Sequence, residues 1–324
     1  MKKKFLLLIF ACLAFFLIAC EEKQTIEDEP KIIELLQDRT FRNGFLISPA
    51  DNEPQPDNRF PLEYNLRYGT PTGNISWLVG QAGDRFGLAD RYAFGDEVEY
   101  INNFYIIEDE SKSIKVNPDE SIIKLELNAS KEYLSPRAPK EAWPHLLLQQ
   151  GFSRTVSVSE TESITLKMDL TLDKLDRMMT DQEYNKDLHA AQFLMYIVVR
   201  SNKAEDAGEF MWFGIPFLDS RYLTLPEAGM IDAGTAGNTG KFIYQMEGSH
   251  LLPNGLPVGE KQSININLIP YFERAINLAH TFQKMMSSSV EDLYLTNMNI
   301  GFELPGTFDI AVTIENFSVE AVLK

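Results

Sequence analysis

The stretch ESITLKMDLTLDKL, residues 162–175, alternates without a break. Ile164, Leu166, Met168, Leu170 and Leu172 share one parity, and Thr165, Lys167, Asp169 and Thr171 share the other. Successive side chains of a strand point to opposite faces, so only a β-strand buries these five apolar residues together while the polar parity meets water. That is a half-buried antiparallel strand. SIIKLELNA repeats the pattern with Ile123, Leu125 and Leu127, and SININLI with Ile264, Ile266 and Leu268. FLMYIVVRS, residues 193–201, is apolar on both parities, as a central strand covered on two faces would be.

The C-terminus carries a change of face. Phe308, Ile310, Val312 and Ile314 have one parity, and Phe317, Val319, Ala321 and Leu323 have the other. One extra residue must be absorbed, which predicts a bulge or kink at Glu315-Asn316, or two short strands meeting there. One long helix interrupts the strands at PYFERAINLAHTFQKMM, with Pro270 in its first turn and Phe272, Ile276, Ala279 and Met286 at helical spacing. KIIELLQD, residues 31–38, predicts a short helix with Ile32, Ile33, Leu35 and Leu36 on one side. Many short strands with one or two short helices predict a mainly β fold, a β-sandwich or jelly roll.

The N-terminus reads as an address. Lys2, Lys3 and Lys4 precede an apolar run from Phe5 to Ile18, too short for a relaxed membrane span, and small Ala19 precedes Cys20. Leu17-Ile18-Ala19-Cys20 resembles the lipobox of bacterial lipoproteins, which implies cleavage before Cys20 and its acylation. Cys12 is a poorer site, because Phe10 lies two places before it and few apolar residues precede it. With Cys20 acylated and Cys12 removed, no thiol is left for a disulfide. Glu21, Glu22, Glu27, Asp28 and Glu29 follow. This cluster is similar to the export tag of Bacteroidota lipoproteins, which implies the outer membrane, lipid-anchored, facing outside the cell. It also reads as a self-repelling spacer. The expected organisation is a signal peptide over 1–19, an acidic tether over 20–40 and a β-sandwich domain over 41–324. A division of the last into a smaller β-unit, 41–152, and a jelly roll, 153–324, is the alternative.

Charge excludes whole classes of partner. The formal net charge is −17, and removing the three signal lysines takes it to −20. Such a field repels phosphates, so nucleic acid is excluded as a partner and the membrane is met through the lipid anchor only.

Motifs for chemistry are few. GTAGNTGK, Gly234 to Lys241, has five residues between Gly234 and Gly240 and Phe242 after the lysine, so it fails the phosphate-loop spacing and reads as a surface loop. His145, His189, His250 and His280 are scattered, so no metal site and no cofactor is expected. Structural calcium held by carbonyls and Asp side chains is compatible with the composition, although no EF-hand loop is present. There is no Gly-x-Ser-x-Gly elbow. Two stretches suit a sugar, whose C–H faces lie on aromatic rings and whose hydroxyls meet polar side chains. EYLSPRAPKEAWPHLL carries Glu132, Tyr133, Arg137, Trp143 and His145 between prolines. FMWFGIPFLDSRY carries Trp212, Asp219, Arg221 and Tyr222. Arg137 and Arg221 would pair with Glu132 and Asp219 or with the carboxylate of a uronic acid. Against this, Trp77 and Trp212 read more readily as core, and Asp219 with Arg221 as a structural ion pair.

From Val156 onward, an alternating strand, a short helix and a closing Asn316-Phe317-Ser318-Val319 resemble β-jelly-roll carbohydrate-binding modules. The resemblance implies a polysaccharide or oligosaccharide partner, and the two stretches above supply the residues expected to grip it: Arg137, Trp143, His145, Trp212, Asp219, Arg221 and Tyr222. It implies binding without covalent chemistry. A polysaccharide lyase using Arg137, Tyr133 and His145, or a glycoside hydrolase, is the alternative on the same scaffold, and an envelope scaffold protein without a small ligand is a third.

Overall fold

Every strand read from alternation forms, and its apolar parity is the buried one: Ile123, Leu125 and Leu127, Ile164 to Leu172 at every second residue, and Ile264 with Leu268 all lie in the core. The computed structural model describes residues 31–50, 63–93, 95–233 and 238–324. The signal-like segment 1–19, Cys20 and the acidic run that follows it lie outside the described residues, as do residues 234–237 of the glycine-rich loop.

Strands are numbered in chain order. An eight-stranded sheet runs β15 (Lys261–Asn267), β10 (Thr161–Arg177), β17 (Phe308–Leu323), β8 (Ile122–Asn128), β7 (Lys112–Asn117), β6 (Phe104–Glu108), β5 (Glu99–Ile101), with β1 (Ile32–Glu34) also paired to β17. A nine-stranded sheet runs β13 (Ala228–Ile231), β14 (Phe242–Gln245), β12 (Phe210–Asp219), β11 (Gln192–Ser201), β16 (Leu293–Glu303), β9 (His145–Ser157), β4 (Trp77–Gly80), β2 (Phe45–Ile47), β3 (Tyr64–Leu66). The two form a β-sandwich. Its long strands alternate between sheets in jelly-roll fashion, β9 to β10 to β11 and β15 to β16 to β17. Residues 41–152 supply strands to both sheets and residues 31–324 form one unit, so this region is not a separate β-unit.

Trp77 of β4 joins the two sheets. Fully buried, it stacks on Phe41 at 5.0 Å, meets Phe317 of β17 at 6.4 Å, and donates its indole N–H to the Asp38 carbonyl at 2.7 Å. β11 sits centrally with Leu194 and Val198 buried on one parity and Phe193, Met195, Ile197 and Val199 on the other, as the doubly apolar run predicts.

The change of face near the C-terminus is a bulge within one continuous strand. Lys167 of β10 pairs with Ser318 and Asp169 with Glu315, so Asn316 and Phe317 together oppose Met168. Asn316 takes a left-handed backbone, φ 55°, which Asn tolerates better than most residues.

Two expectations are corrected. Residues 32–34 form β1 and not a helix, and residues 31–40 belong to the sandwich and not to the tether. The reason is a free stretch of β17: β8 pairs with residues 309–315, and β1 takes up the same side at residues 320–322. The Glu34 carboxylate accepts from Val319 N–H at 3.1 Å and Ser318 Oγ at 2.6 Å, and Leu35 and Leu36 enter the core. Among the described residues three α-helices, α1 (Leu88–Ala93), α2 (Ala129–Glu132) and α3 (Ile269–Thr281), accompany the strands. Helix α3 buries Phe272, Ile276 and Ala279 as expected but stops before Met286, which is exposed. Gln283 is left-handed at φ 58°, and the His280 side chain bonds the Met285 and Ser288 carbonyls to close the turn.

Candidate functional site

The outer face of the nine-stranded sheet can be assembled from register alone. One row crosses eight strands: Gln245 pairs with Gly214, Gly214 with Tyr196, Tyr196 with Asn299, Asn299 with Gln149, Gln149 with Leu78, Leu78 with Leu46 and Leu46 with Asn65. All have the parity opposite to the buried core residues Tyr244, Phe213, Ile197, Met298 and Leu148. The centre of this face is therefore a line of amides around one tyrosine. Two residues along the strands, about 7 Å away, Ile243, Trp212, Val198 and Asn297 form the next row.

Two glycines make room for it. A Cβ on Gly214 would stand 2.8 Å from both the Gln245 Oε1 and the Tyr196 ring, and one on Gly80 would stand 2.2 Å from Gln149 Nε2. Tyr196 keeps partial solvent contact, yet burial pushes its hydroxyl well above the ordinary phenol range, and the charges of Glu303 and Asp232 push it the same way. It is a neutral hydroxyl at any working pH. Asn299 Oδ1 and Gln245 Nε2 are buried without a hydrogen-bond partner among the described residues, and Gln245 is 4% exposed. An unmet buried polar atom costs about 1–3 kcal/mol, so an acceptor and a donor on one row stand out as places for a ligand hydroxyl. Trp212 is half-buried beside them, edge-on to Tyr196 at 6.1 Å and to Phe210 at 5.3 Å, with its N–H donated to Thr239 Oγ1 at 3.2 Å. Trp212 is thus a face residue, against the expectation of core, whereas Trp77 is core as expected.

The remaining residues singled out in the sequence gather at the other end of the same face. His145 pairs with Glu303, Glu303 with Gln192 and Gln192 with Asp219, which joins the proline-rich loop to the Asp219–Tyr222 turn. Along β11, residues 192 and 198 are about 20 Å apart, so this end is remote from Trp212. Within it, several groups are committed to structure. Arg137 is 8% exposed and donates to the carbonyls of Pro305 at 3.2 Å, Glu141 at 2.8 Å and Leu188 at 3.0 Å, with its guanidinium 5.2 Å from the centre of the Trp143 ring. It clamps loops and does not face a ligand, because three carbonyls lacked donors where the chain turns. Asp219 is 3% exposed and bonded by Gln192 and Arg221, so the pair is structural and Asp219 is not a sugar contact. Its hydrogen bonds hold the Arg221 guanidinium above its ordinary range. Tyr133 donates to the Leu304 carbonyl at 2.9 Å, and burial raises its hydroxyl far above the phenol range. His145 holds the Ala82 carbonyl through Nδ1 at 3.0 Å, with Nε2 3.8 Å from Glu303. Arg137, Tyr133 and His145 thus do not present free groups to a common uronate, and the lyase arrangement is not formed. Trp143 and His145, 5.8 Å apart, remain partly exposed, and Tyr222 is exposed.

Glu132 does not pair with Arg137. It belongs to a buried cluster in which the Lys112 ammonium lies 3.1 Å from Glu132, 3.1 Å from Asp109 and 3.9 Å from Asp84. Burial would lower the Lys112 pKa, but the charges of Asp84, Asp109 and Glu132 outweigh it and hold it above its ordinary value. Burial raises Asp84 well above the usual carboxylate range against the pull of Lys112, with Glu132 and Asp109 adding to the rise. Among the described residues no group of His, Cys, Asp or Glu is arranged to hold a metal ion.

Sequence reading missed Gln149, Tyr196, Gln245 and Asn299. Their signal was present as polar residues on the outward parity of strands whose inward parity is apolar, as in NMNIGFE, but their meeting depends on cross-strand register.

No family model matches the chain, and no curated protein does. Among solved structures it is similar to a family 12 xyloglucanase from Bacillus licheniformis, at 15% identity over 69% of this chain and 97% of that one, with a TM-score of 0.40. It is also similar to the endoglucanase Cel12A of Rhodothermus marinus, at 12% identity over 70% of this chain and 96% of that one, with a TM-score of 0.35. A family 11 xylanase from Neocallimastix patriciarum covers 76% of this chain and 96% of its own length, at 8% identity and a TM-score of 0.35.

Proposed function

We propose that this chain is a glycan-binding protein whose ligand lies on the outer face of the nine-stranded sheet, and that it binds without cleaving. One observation carries the reading: the central row supplies Gln245, Tyr196, Asn299 and Gln149, and no carboxylate. Amides and a neutral phenol donate and accept hydrogen bonds with sugar hydroxyls, and Trp212 beside them offers an apolar surface to a ring's C–H face. Glycoside hydrolysis needs two carboxyl groups flanking the bond, about 5 Å or 6.5–9.5 Å apart. Two carboxylates act on Tyr196 from off this row: Glu303, at the end with His145, and Asp232, which accepts from Thr239 beside Trp212, while Asp219 is buried under Arg221. The anchor belongs to the same proposal. Acylation of Cys20 would hold the domain at the outer membrane, facing outside, where attachment supplies the effective concentration that weak sugar binding lacks.

The test is affinity electrophoresis of the full chain, solubilised in detergent, on neutral and acidic polysaccharides. Trp212→Ala and Asn299→Ala each should cut retardation by about tenfold in Kd, the factor carried by about 1.4 kcal/mol, with the thermal midpoint little changed. Retardation left at wild-type strength by both substitutions would overturn the assignment to this face.

A further inference from the structure

Among the described residues, the end strands β5 and β3 of the two sheets lie at the same side of the sandwich. Tyr68, Tyr105 and Tyr100 form a graded stack from core to solvent. Tyr68 is 5% exposed, Tyr105 is partly exposed and Tyr100 is 57% exposed. Ring centres are 4.9 Å apart at 27° between Tyr68 and Tyr105, and 4.6 Å apart at 39° between Tyr105 and Tyr100. Register explains the arrangement. Tyr100 of β5 pairs with Tyr105 of β6, and Tyr105 pairs with the fully buried Val116, so all three residues lie on the core-facing side of the eight-stranded sheet. Among the described residues the nine-stranded sheet ends at β3.

Closing off the end of a core would explain Tyr68 and Tyr105. It does not explain Tyr100, whose ring extends the stack into water on an edge strand exposed at all three residues. Beside the stack is a depression of about 380 Å³ lined by Tyr64, Asn65, Arg67, Asp96, Glu97 and Tyr105. Its depth depends on Gly69, whose φ is 56° and where a Cβ would stand 2.4 Å from the Tyr105 hydroxyl oxygen. The polar groups at the rim differ in their commitments. Asp96 pairs with Arg91 at 3.1 Å and Arg67 donates to the Gly73 carbonyl at 3.1 Å, while Glu97 makes no ion pair or hydrogen bond among the described residues.

We infer that this depression and the exposed face of Tyr100 form a second carbohydrate site, for a neutral pyranose, separate from the face that bears Trp212. A flat C–H surface covers Tyr100, and ring hydroxyls donate to the Glu97 and Asp96 carboxylates and accept from Asn65 and Arg67. Of the charged residues lining the depression, Asp96 and Glu97 are acidic and Arg67 is basic, so a uronate is disfavoured here by like-charge repulsion.

The inference rests on the glycan reading of the protein but not on the sheet face, and the experiment separates the two. Affinity electrophoresis of the full chain is run in non-ionic detergent with hydroxyethyl cellulose, galactomannan and polygalacturonate, for wild type, Tyr100→Ala, Tyr100→Trp, Trp212→Ala and the Tyr100→Ala/Trp212→Ala pair. Tyr100→Ala should weaken retardation on a neutral gel about tenfold in the Trp212→Ala background, the factor an aromatic contact of ordinary strength supplies. Tyr100→Trp should restore it, and the pair should migrate freely. No effect of Tyr100→Ala in either background overturns this site and leaves the sheet face standing if Trp212→Ala alone abolishes retardation. A wild type unretarded by every gel overturns both.

Discussion

Replacing Lys112 by Met gives a decisive test of how the sandwich is held where β7, helix α2 and the segment around Asp84 meet. The Lys112 side chain is fully buried, and its ammonium donates to the Phe86 carbonyl at 2.6 Å and to Ser111 Oγ at 3.2 Å while facing Asp84, Asp109 and Glu132. Met fills the space of the aliphatic stem, so the change isolates the charge. Three buried carboxylates then lose the cation they share, and breaking a buried ion pair from one side costs about 3–5 kcal/mol. The loss should be read by urea unfolding at pH 7.5, followed by tryptophan fluorescence, and in a chain of this size it lowers the melting temperature by about 1.5–2 °C per kcal/mol. The penalty has a sign with pH. Asp84 already sits above its unfolded value, so its contribution to stability is fully present below the unfolded pKa and is lost as pH rises through the folded one. Without Lys112 the folded value climbs further, so the variant's deficit should shrink on going from pH 7.5 to pH 5. A deficit below about 1 kcal/mol at pH 7.5, or one that grows as pH falls, would refute the account, since a loss of this kind requires carboxylates that are buried, charged and uncompensated.

Three further outcomes follow from the same geometry. Asp84→Asn removes the group whose burial opposes ionisation, so urea midpoints should fall less between pH 5 and pH 8 than those of the wild type; an unchanged slope would place the dependence elsewhere. Trp77→Ala opens a cavity between the sheets and frees the Asp38 carbonyl, for a loss of about 3–5 kcal/mol measurable by urea unfolding. Arg137→Lys retains charge but cannot reach three carbonyls in one plane, so limited proteolysis should cut faster near residues 134–144 while the global melting temperature moves little.

The strands were legible because burial and alternation are one pattern seen from two sides. The bulge at Asn316 followed from the same count of parity. Residues 32–36 misled because Ile32, Ile33, Leu35 and Leu36 satisfy helical spacing, while the deciding factor, an unfilled side of β17 nearly 290 residues away in sequence, is tertiary. Helix α3 stops short of its predicted end for a local reason, the left-handed turn at Gln283. The site was less legible than the fold. Aromatic and charged residues attracted notice along the chain, yet Arg137 and Asp219 bind their own backbone and neighbours. The row of Gln149, Asn299, Tyr196 and Gln245 is drawn from four distant segments that only register aligns.

The central claim is that a face whose central row is built of amides and a tyrosine, with no carboxylate in that row, holds a glycan and leaves it intact. The most direct measurement incubates the full wild-type chain with the polysaccharide that retards it and follows new reducing ends and unsaturated-uronate absorbance over the same samples. The account predicts retardation with neither product. Release of either product, in proportion to protein and time, would contradict it.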